Sequence, residues 1–237
     1  MLLQDDFRKL YQKINPGWQD SVAIYKNLIS GYLSKDMTIL EAGCGFSNMY
    51  LELYGKVKKV IGVDIESKFL AMNPHLQEKI QADLADMPQV REASVDLIVS
   101  SWVFEHIENP AGAFREFFRV LKPRGKVIFL TPNKLNYVVF SNHLAPGFLR
   151  KWIVGKMSKD LVTDPMKTYY RANSIRKIAH LAKQSGLQPK RIILNGDPTY
   201  IAINKLFFYL GVFAELILAL PLLRNFKVHI IGVLEKY

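Results

Sequence analysis

Residues 38–45 read Thr-Ile-Leu-Glu-Ala-Gly-Cys-Gly, a short apolar run that leads into a glycine-rich turn. An amphipathic stretch follows over residues 48–54, so the pattern predicts a strand, a tight turn and a helix. Glycines at such a turn let a ligand approach the backbone closely, and the start of the helix offers free N–H groups. We therefore expect a cofactor to bind at this turn.

Strands alternate with helices along much of the chain. Helical periodicity predicts helices on either side of a turn at residues 15–17, and further helices over residues 111–121 and 174–185. Apolar runs predict six more strands, at residues 59–64, 79–83, 96–100, 126–131, 190–194 and 227–234. This order is typical of a doubly wound α/β fold. We predict a mostly parallel seven-stranded sheet with N-terminal helices and a C-terminal helical insertion before the last strand.

Three acidic residues, Glu41, Asp64 and Asp83, fall at or near the ends of predicted strands. Ligands of such sheets bind at the carboxyl ends of the strands, and a buried strand end is unfavourable for an unpaired carboxylate. The three acids together favour a polar ligand over surface or helix-capping roles. A dinucleotide is one candidate, since Asp64 has the spacing of a ribose ligand, but Asn48 stands where the third glycine of that motif is expected.

Five motifs in order resemble those of class I S-adenosylmethionine-dependent methyltransferases, in particular the methyltransferase type 11 and ubiquinone-biosynthesis enzymes. They are Glu41-Ala42-Gly43-Cys44-Gly45, Val63-Asp64-Ile65, Gln81-Ala82-Asp83-Leu84, Asp96-Leu97-Ile98-Val99-Ser100-Ser101 with Phe104-Glu105-His106-Ile107, and Leu121-Lys122-Pro123-Arg124-Gly125-Lys126. The resemblance covers roughly residues 36–133 and implies a Rossmann-like methyltransferase fold with S-adenosylmethionine as the cofactor.

The same resemblance implies which residues contact the methionine part of the cofactor. Gly43 and Gly45 would pass beneath it, with Glu41 near its ammonium group. Ser101, just past the fourth strand, would line the methionine and substrate side.

The adenosine part would meet a second group of residues. Asp64 would accept hydrogen bonds from both ribose hydroxyls, and Asp83 would meet the adenine amino group. Leu84 and Ile65 would border the adenine ring.

Glu105 and His106 are the candidate catalytic residues, because they follow the fourth strand near the expected transfer site and His106 could take a proton near neutral pH. A packing or helix-capping role for the pair is the alternative. The ubiquinone-biosynthesis enzymes carry an additional upstream glutamate where this chain has Trp102, so we predict no metal site. Cys44 has no adjacent base and is interpreted as a small buried hydrophobe and not as a nucleophile.

The net charge of +11 lies wholly in the second half of the chain. Residues 1–133 hold 16 basic and 16 acidic side chains, whereas residues 134–237 hold 16 basic and 5 acidic ones. Residues 134–172 also interleave lysines and arginines with aromatics, which suits an anionic membrane surface, a phosphate-bearing substrate or single-stranded nucleic acid. A solvated basic surface without a partner is the alternative.

The longest apolar stretch runs from Leu206 to Leu223 and contains Glu215 and Pro221. If the strands on either side belong to one sheet, the stretch cannot cross a bilayer once, because the strands would then lie on opposite sides. It is expected to form one interfacial helix, or two short helices broken near Gly211, in contact with a membrane. Burial against the sheet or against a second copy is the alternative.

We therefore predict three segments: an N-terminal helical lid at 1–35 with Tyr11, Trp18 and Tyr25 over the pocket, a cofactor-binding core at 36–133, and a basic substrate or membrane-contact region at 134–237. The single cysteine and the two acids in the first ten residues predict a cytoplasmic protein. The basic, aromatic segment and the apolar stretch predict that it is peripheral at the inner membrane face.

The predicted function is methyl transfer to an oxygen of a small amphipathic, lipid-linked or glycan acceptor. An RNA-binding methyltransferase is one alternative, although no Asn-Pro-Pro-Tyr-like signature follows the fourth strand and nucleic acid is therefore an unfavoured partner. A cofactor-binding protein without turnover is the other.

Overall fold

The computed structural model describes residues 4–45, 51–136 and 166–237. The chain forms two compact units, each assembled from separate segments. Unit 1 is drawn from Met1–Ser21, Pro132–Lys167 and Leu194–Ile230, as far as these are described, and unit 2 from Val22–Thr131, Thr168–Ile193 and Ile231–Tyr237. The units do not follow the boundaries of the predicted segments 1–35, 36–133 and 134–237, whose roles as lid, cofactor core and specificity region stay a prediction.

Seven strands and seven α-helices form the described part of the chain. The strands are β1 (Thr38–Ala42), β2 (Lys59–Asp64), β3 (Glu78–Gln81), β4 (Val95–Ser101), β5 (Leu121–Pro132), β6 (Leu187–Asn195) and β7 (His229–Lys236). The helices are α1 (Gln4–Ile14), α2 (Ser21–Ser30), α3 (Leu51–Tyr54), α4 (Ser67–Met72), α5 (Pro110–Val120), α6 (Ile175–Ser185) and α7 (Lys205–Ile217). Two 3₁₀ turns, Pro198–Ile201 and Arg224–Phe226, flank α7.

The strands form one sheet in the order β3-β2-β1-β4-β5-β7-β6. The pairs from β3 to β5 are parallel, with Thr38 opposite Lys59 and Ile39 opposite Leu97. Four of the five β1 residues and five of the six β2 residues are buried, as expected of central strands covered on both faces. The seven-stranded doubly wound fold with a helical insertion before the last strand is confirmed.

The helix ends follow the local chemistry of the sequence. The Asn109 side chain accepts from Gly112 N, with Pro110 as the first helical residue of α5. Ser174 caps α6, which ends at Gly186 in the left-handed conformation with φ 91°.

Two of the differences between predicted and observed element boundaries fall in the sequence motifs. β3 ends at Gln81, so Asp83 lies beyond it and is exposed. β5 begins at Leu121. Residues 122–125, which the predicted helix and strand leave as a connecting turn, form an irregularity within this strand, where the register shifts and Arg124 has φ 65°. The proline and glycine of that stretch thus distort the strand edge without delaying its start.

Unit 2 has its core around the sheet, and Tyr25 is fully buried there. Four phenylalanines add an aromatic cluster, in which Phe104 stacks on Phe129 with ring centroids 4.9 Å apart. Of the predicted aromatic lid, Tyr25 therefore contributes to this core, while Tyr11 and Trp18 belong to unit 1.

Unit 1 has a smaller core in which α7 packs on α1. Phe208 stacks on Phe7 at 5.0 Å, and Val212, Tyr11 and Trp18 complete the cluster. α7 is one continuous helix, so the alternative of two helices broken near Gly211 is wrong. Gly211 instead allows close packing, since a Cβ there would lie 2.6 Å from the Pro198 carbonyl oxygen.

None of the helices in the described ranges is both long enough and apolar enough to cross a membrane.

A buried histidine joins three segments of unit 1. His229 Nδ1 lies 2.8 Å from the Ser21 hydroxyl, and its Nε2 lies 2.8 Å from the Tyr200 hydroxyl. Asn195 Nδ2 also donates to Ser21 Oγ at 2.9 Å. Burial lowers the pKa of His229 to about 3, against an ordinary value of 6.5.

This histidine makes the stability of the protein depend on pH. Because the folded pKa lies below the unfolded one, the unfolded chain takes up a proton first as the pH falls from 6.5 towards 3, and stability is lost in that window. At pH 5 the loss is about 2 kcal/mol relative to pH 7.5. Denaturant titrations from pH 7.5 to 5 should show this slope, and His229→Gln should flatten it. The exposed His180→Gln is the control, and equal slopes in both variants would contradict the assignment.

Candidate active site

The glycine turn after β1 joins the ends of two neighbouring strands in unit 2. Gly43 N and Cys44 N donate to the Val63 carbonyl oxygen at 2.8 and 3.1 Å. Gly43 and Gly45 have φ values of 70° and 52°, in the left-handed region that glycine adopts without strain. A Cβ on Gly43 would lie 2.5 Å from a Val103 methyl, so only glycine fits, whereas a Cβ on Gly45 would have no atom of the described residues within 4 Å. The described part of the turn thus leaves room for a ligand at Gly45.

Asp64 closes this turn from the end of β2. One carboxylate oxygen accepts from Gly45 N at 2.8 Å and the other from Glu66 N at 2.9 Å, and the side chain is buried. Each carboxylate oxygen has two acceptor sites, so one stays available on each. Asp64 is therefore a rigid acceptor for two further donors, such as a pair of adjacent hydroxyls.

Glu41 lies deeper, on β1, and accepts a hydrogen bond from the Tyr54 hydroxyl. Burial, followed by the negative charge of Asp64, raises the pKa of the Glu41 carboxyl well above its usual value of 4.5. A buried acid beside a second acid is a favourable place for a cationic group, because the cation would offset the cost of the charged form.

Three predicted residues follow the ends of β2 and β3, which are neighbours through the pairing of Asp64 with Gln81. Ile65 is an exposed apolar side chain, 57% accessible, directly after β2. Asp83 is exposed and accepts from Ala85 N at 2.8 Å, and Leu84 is buried. The register places these residues at one edge of the sheet. The apolar side chains of Ile65 and Leu84 offer a favourable environment there for a flat aromatic ring of a ligand.

The loop after β4 is held in an unusual backbone conformation. Trp102 has φ 59°, which is rare for a bulky side chain and occurs mostly at functional sites. Its N–H donates to the Leu130 carbonyl at 2.9 Å, and His106 N donates to Val103 O at 2.8 Å. Ser101 ends β4 and is partly exposed, two residues beyond Val99, the partner of Glu41.

Glu105 points into the protein and not into solvent. Its carboxylate accepts from Thr131 Oγ1 at 3.1 Å, and Thr131 Oγ1 in turn accepts from Asn173 Nδ2 at 2.7 Å. Burial raises the pKa of Glu105, against the opposing effects of its hydrogen bonds and of His106. Its backbone carbonyl also accepts from Tyr169 N and Tyr170 N, at 2.7 and 3.1 Å. Glu105 therefore ties the β4 loop to the segment before α6.

Sequence reasoning missed two members of this network, Asn173 and Tyr170. Asn173 is fully buried, yet it reaches Thr131 across 42 residues, and no local pattern signals such a contact. Burial and the charge of Glu105 raise the pKa of Tyr170.

The basic and aromatic segment at 134–172 lies mostly outside the described residues. Within the described part, Tyr169 donates to a Glu108 carboxylate oxygen at 2.8 Å and Arg171 donates to the Glu108 carbonyl at 2.6 Å. These two side chains thus hold the loop that follows Glu105.

Cys44 is buried, and burial together with the charges of Glu41 and Asp64 raises its pKa to about 12. A thiol in this state is neither ionised nor nucleophilic at neutral pH, which agrees with the predicted packing role. Within the ranges that the structure describes, no three His, Cys, Asp or Glu side chains are grouped so that they could hold a metal ion.

A family model described as a methyltransferase domain matches residues 40–129, which contain the glycine turn, Asp64 and Glu105. The chain is 31% identical over 120 residues to a probable S-adenosylmethionine-dependent methyltransferase of Mycolicibacterium smegmatis, covering 48% of this chain and 44% of that protein. Residues 40–129 are a methyltransferase domain, similar to those of S-adenosylmethionine-dependent methyltransferases. The recognition made from the five sequence motifs is confirmed.

Two further comparisons extend the likeness beyond this methyltransferase domain. The chain is 27% identical over 144 residues to the ubiquinone biosynthesis O-methyltransferase of Paracidovorax citrulli, covering 56% of each protein. The chain thus spans about half the length of these two curated relatives. A solved geranyl diphosphate C-methyltransferase of Streptomyces coelicolor shares the fold, with a TM-score of 0.58 at 13% identity, over 91% of this chain and 77% of that one.

The geometry of Asp64 predicts a large loss of cofactor affinity in the Asp64→Asn variant, because the amide keeps the shape but turns one acceptor into a donor. Losing hydrogen bonds to a charged acceptor costs about 1.5–3 kcal/mol, roughly 10- to 100-fold in affinity. Isothermal titration with S-adenosylmethionine measures the loss. The exposed Asp36→Asn is the matched control, and equal affinity of Asp64→Asn and wild type would contradict the assignment.

The raised pKa of Glu41 predicts that S-adenosylmethionine binds more tightly as the pH rises from 5 to 7.5, since only the ionised carboxylate attracts an ammonium group. The ligand ammonium stays predominantly charged over this range, because an α-amino group has a pKa near 7.7–8.0. Glu41→Gln should bind weakly and show no such pH dependence. Asp64→Asn should shift the midpoint to lower pH, because the Asp64 charge helps to raise the Glu41 pKa, and an unshifted midpoint would contradict that coupling.

Proposed function

We propose that this protein transfers the methyl group of S-adenosylmethionine to an oxygen of a small amphipathic, lipid-linked or glycan acceptor. The observation that carries the proposal is the pair of buried acids, Glu41 and Asp64, joined by the glycine turn at the ends of two parallel strands. One acid suits a cation and the other suits two hydroxyls, which is the combination that the methionine and ribose parts of this cofactor present.

S-adenosylmethionine supplies a methyl group that is already activated on a sulfonium sulfur. The protein therefore has to align the acceptor and remove its proton. Gly43 and Gly45 leave space beneath the methionine part, Glu41 neutralises the ammonium group, and Asp64 holds the ribose. Ile65, Asp83 and Leu84 border the adenine.

We assign proton removal to His106 and positioning to Glu105. As the acceptor oxygen bonds to the methyl carbon, the bond from that carbon to sulfur breaks, and His106 takes the hydroxyl proton. Glu105 is buried in its contact with Thr131, which makes it unsuited to meet the acceptor directly. His106 is partly exposed in the same loop.

Oxygen as the acceptor atom is supported by the relative from Paracidovorax citrulli, whose name states an O-methyltransferase. An amphipathic acceptor is supported by the same printed name, which places that relative in the biosynthesis of ubiquinone, a lipid-soluble quinone.

A methyl-transfer assay with labelled cofactor and fractionated cell extract tests the proposal. The label should appear in a solvent-extractable or glycan fraction, with mass spectrometry placing the methyl group on oxygen. Label in RNA would favour the RNA-modifying alternative. Cofactor binding without any transferred label would show a binding protein without turnover and overturn the proposal.

Replacing His106 with Asn should lower kcat about 100-fold or more, because general-base catalysis contributes factors of 10²–10⁴, while cofactor affinity stays unchanged. Glu105→Gln keeps a hydrogen-bond acceptor for Thr131 and should lower kcat far less. His75→Asn, on an exposed loop before β3, is the matched control. An unaltered kcat in His106→Asn would remove this residue from catalysis.

A further inference from the structure

Helix α7 exposes a continuous apolar face. Its members recur every three or four residues and so lie on one side of the helix. They are Leu206, Tyr209, Leu210, Phe213, Leu216 and Ile217, which are between 40% and 67% accessible. Leu220, Leu222 and Phe226 continue the exposed apolar surface beyond the helix. An apolar patch of this extent is unusual on a soluble surface and marks an interaction site.

The opposite side of the same helix packs against other residues of unit 1. Phe208 and Val212 pack with α1, Gly211 lies against Pro198, and Glu215 lies against Gly196. Among the described residues of unit 1, these packing contacts all lie on the side of α7 opposite to the exposed face. α7 is apolar on both sides, and each side has its own environment.

The charged side chains that flank α7 in the sequence are basic. Lys205 begins the helix, and Arg224 and Lys227 follow it. Between residues 198 and 227 the sequence contains a single acid, Glu215, which is 4% accessible and on the packed side. Residues 198–227 thus contribute exposed apolar side chains and cations, but no exposed acid.

This combination fits an anionic lipid surface better than a second copy of the chain. Two copies meeting through this face would bring like charges together at the edge of the contact, which is unfavourable. Lipid headgroups with negative charge would instead pair with Lys205 and Arg224 while the acyl region accepts Phe213 and Leu216.

The length of α7 determines how it would lie. Thirteen residues at about 1.5 Å each span about 20 Å, less than the roughly 30 Å of a hydrocarbon core. Both ends of the helix also return to the same sheet, through β6 and β7. The helix can therefore lie in the plane of the interface.

We propose that the exposed face of α7 is a monotopic docking surface for a membrane that contains anionic lipids. α7 lies parallel to the membrane plane, with its apolar face in the boundary between headgroups and acyl chains. The proposal is independent of the methyl-transfer proposal, because membrane docking requires neither cofactor nor acceptor.

Flotation of the full-length chain with vesicles tests the proposal in the absence of cofactor. Phosphatidylcholine vesicles are compared with vesicles in which about a third of the lipid is phosphatidylglycerol. The wild-type protein should float with the anionic vesicles, and raised salt should weaken the binding. The double variant Phe213→Asp/Leu216→Asp should partition into anionic vesicles about 100-fold less or weaker still. Two apolar side chains that would be buried in the membrane are replaced by charged ones.

Charge neutralisation tests the contribution of the cations Lys205 and Arg224 separately. Lys205→Gln and Arg224→Gln should each weaken binding to anionic vesicles about five-fold and change binding to neutral vesicles little. Met72→Asp removes an equally exposed apolar side chain from α4 and is the matched control, which should bind as wild type does. Circular dichroism and cofactor titration verify that the variants are folded.

Two results would overturn the proposal. One is failure of the folded wild-type protein to float with anionic vesicles. The other is a wild-type dimer in light scattering that Phe213→Asp/Leu216→Asp converts to a monomer while vesicle binding stays unchanged, because the face would then be an interface between two copies.

Discussion

The hydrogen bond from Gly45 N–H to the Asp64 carboxylate is the contact on which the site depends. It joins the turn after β1 to the end of β2, and both glycines of the turn adopt positive φ angles to make it possible. Burying two carboxylates near one another is costly. Two backbone N–H groups donate to the Asp64 carboxylate and stabilise its charged form. The unfavourable burial of the Glu41 carboxylate is less well offset, and its pKa is therefore raised. The two buried acids thus create a local excess of negative charge that a cationic group of the cofactor would offset.

A second constraint shapes the loop after β4. The positive φ of Trp102 turns the chain after β4, and the buried contacts of Glu105 with Thr131 and of Thr131 with Asn173 hold the resulting loop. Three segments that are distant in sequence meet there. These contacts restrain the backbone of the loop that also carries His106.

The bounds of β1 and β2 were predictable because their apolar runs are continuous and end in acids. β3 is short and half-exposed, so its apolar signal is weak, and its end was placed two residues too late. The turn expected at 122–125 is an irregular part of β5, because pairing with β4 resumes immediately around it. The buried contacts of Asn173 with Thr131 and of His229 with Ser21 could not be predicted from the sequence, since the partners are 42 and 208 residues apart.

By itself, the sequence determined the order of strands and helices, the glycine turn and the acids at the strand ends, because each of these depends on neighbouring residues. The tertiary structure alone decided which face of the 205–217 helix is packed and which is exposed. Both faces are apolar, so the hydrophobic pattern cannot distinguish them. It also decided that Glu105 faces Thr131 and Asn173, because a carboxylate's environment is created by residues that the chain brings together only on folding.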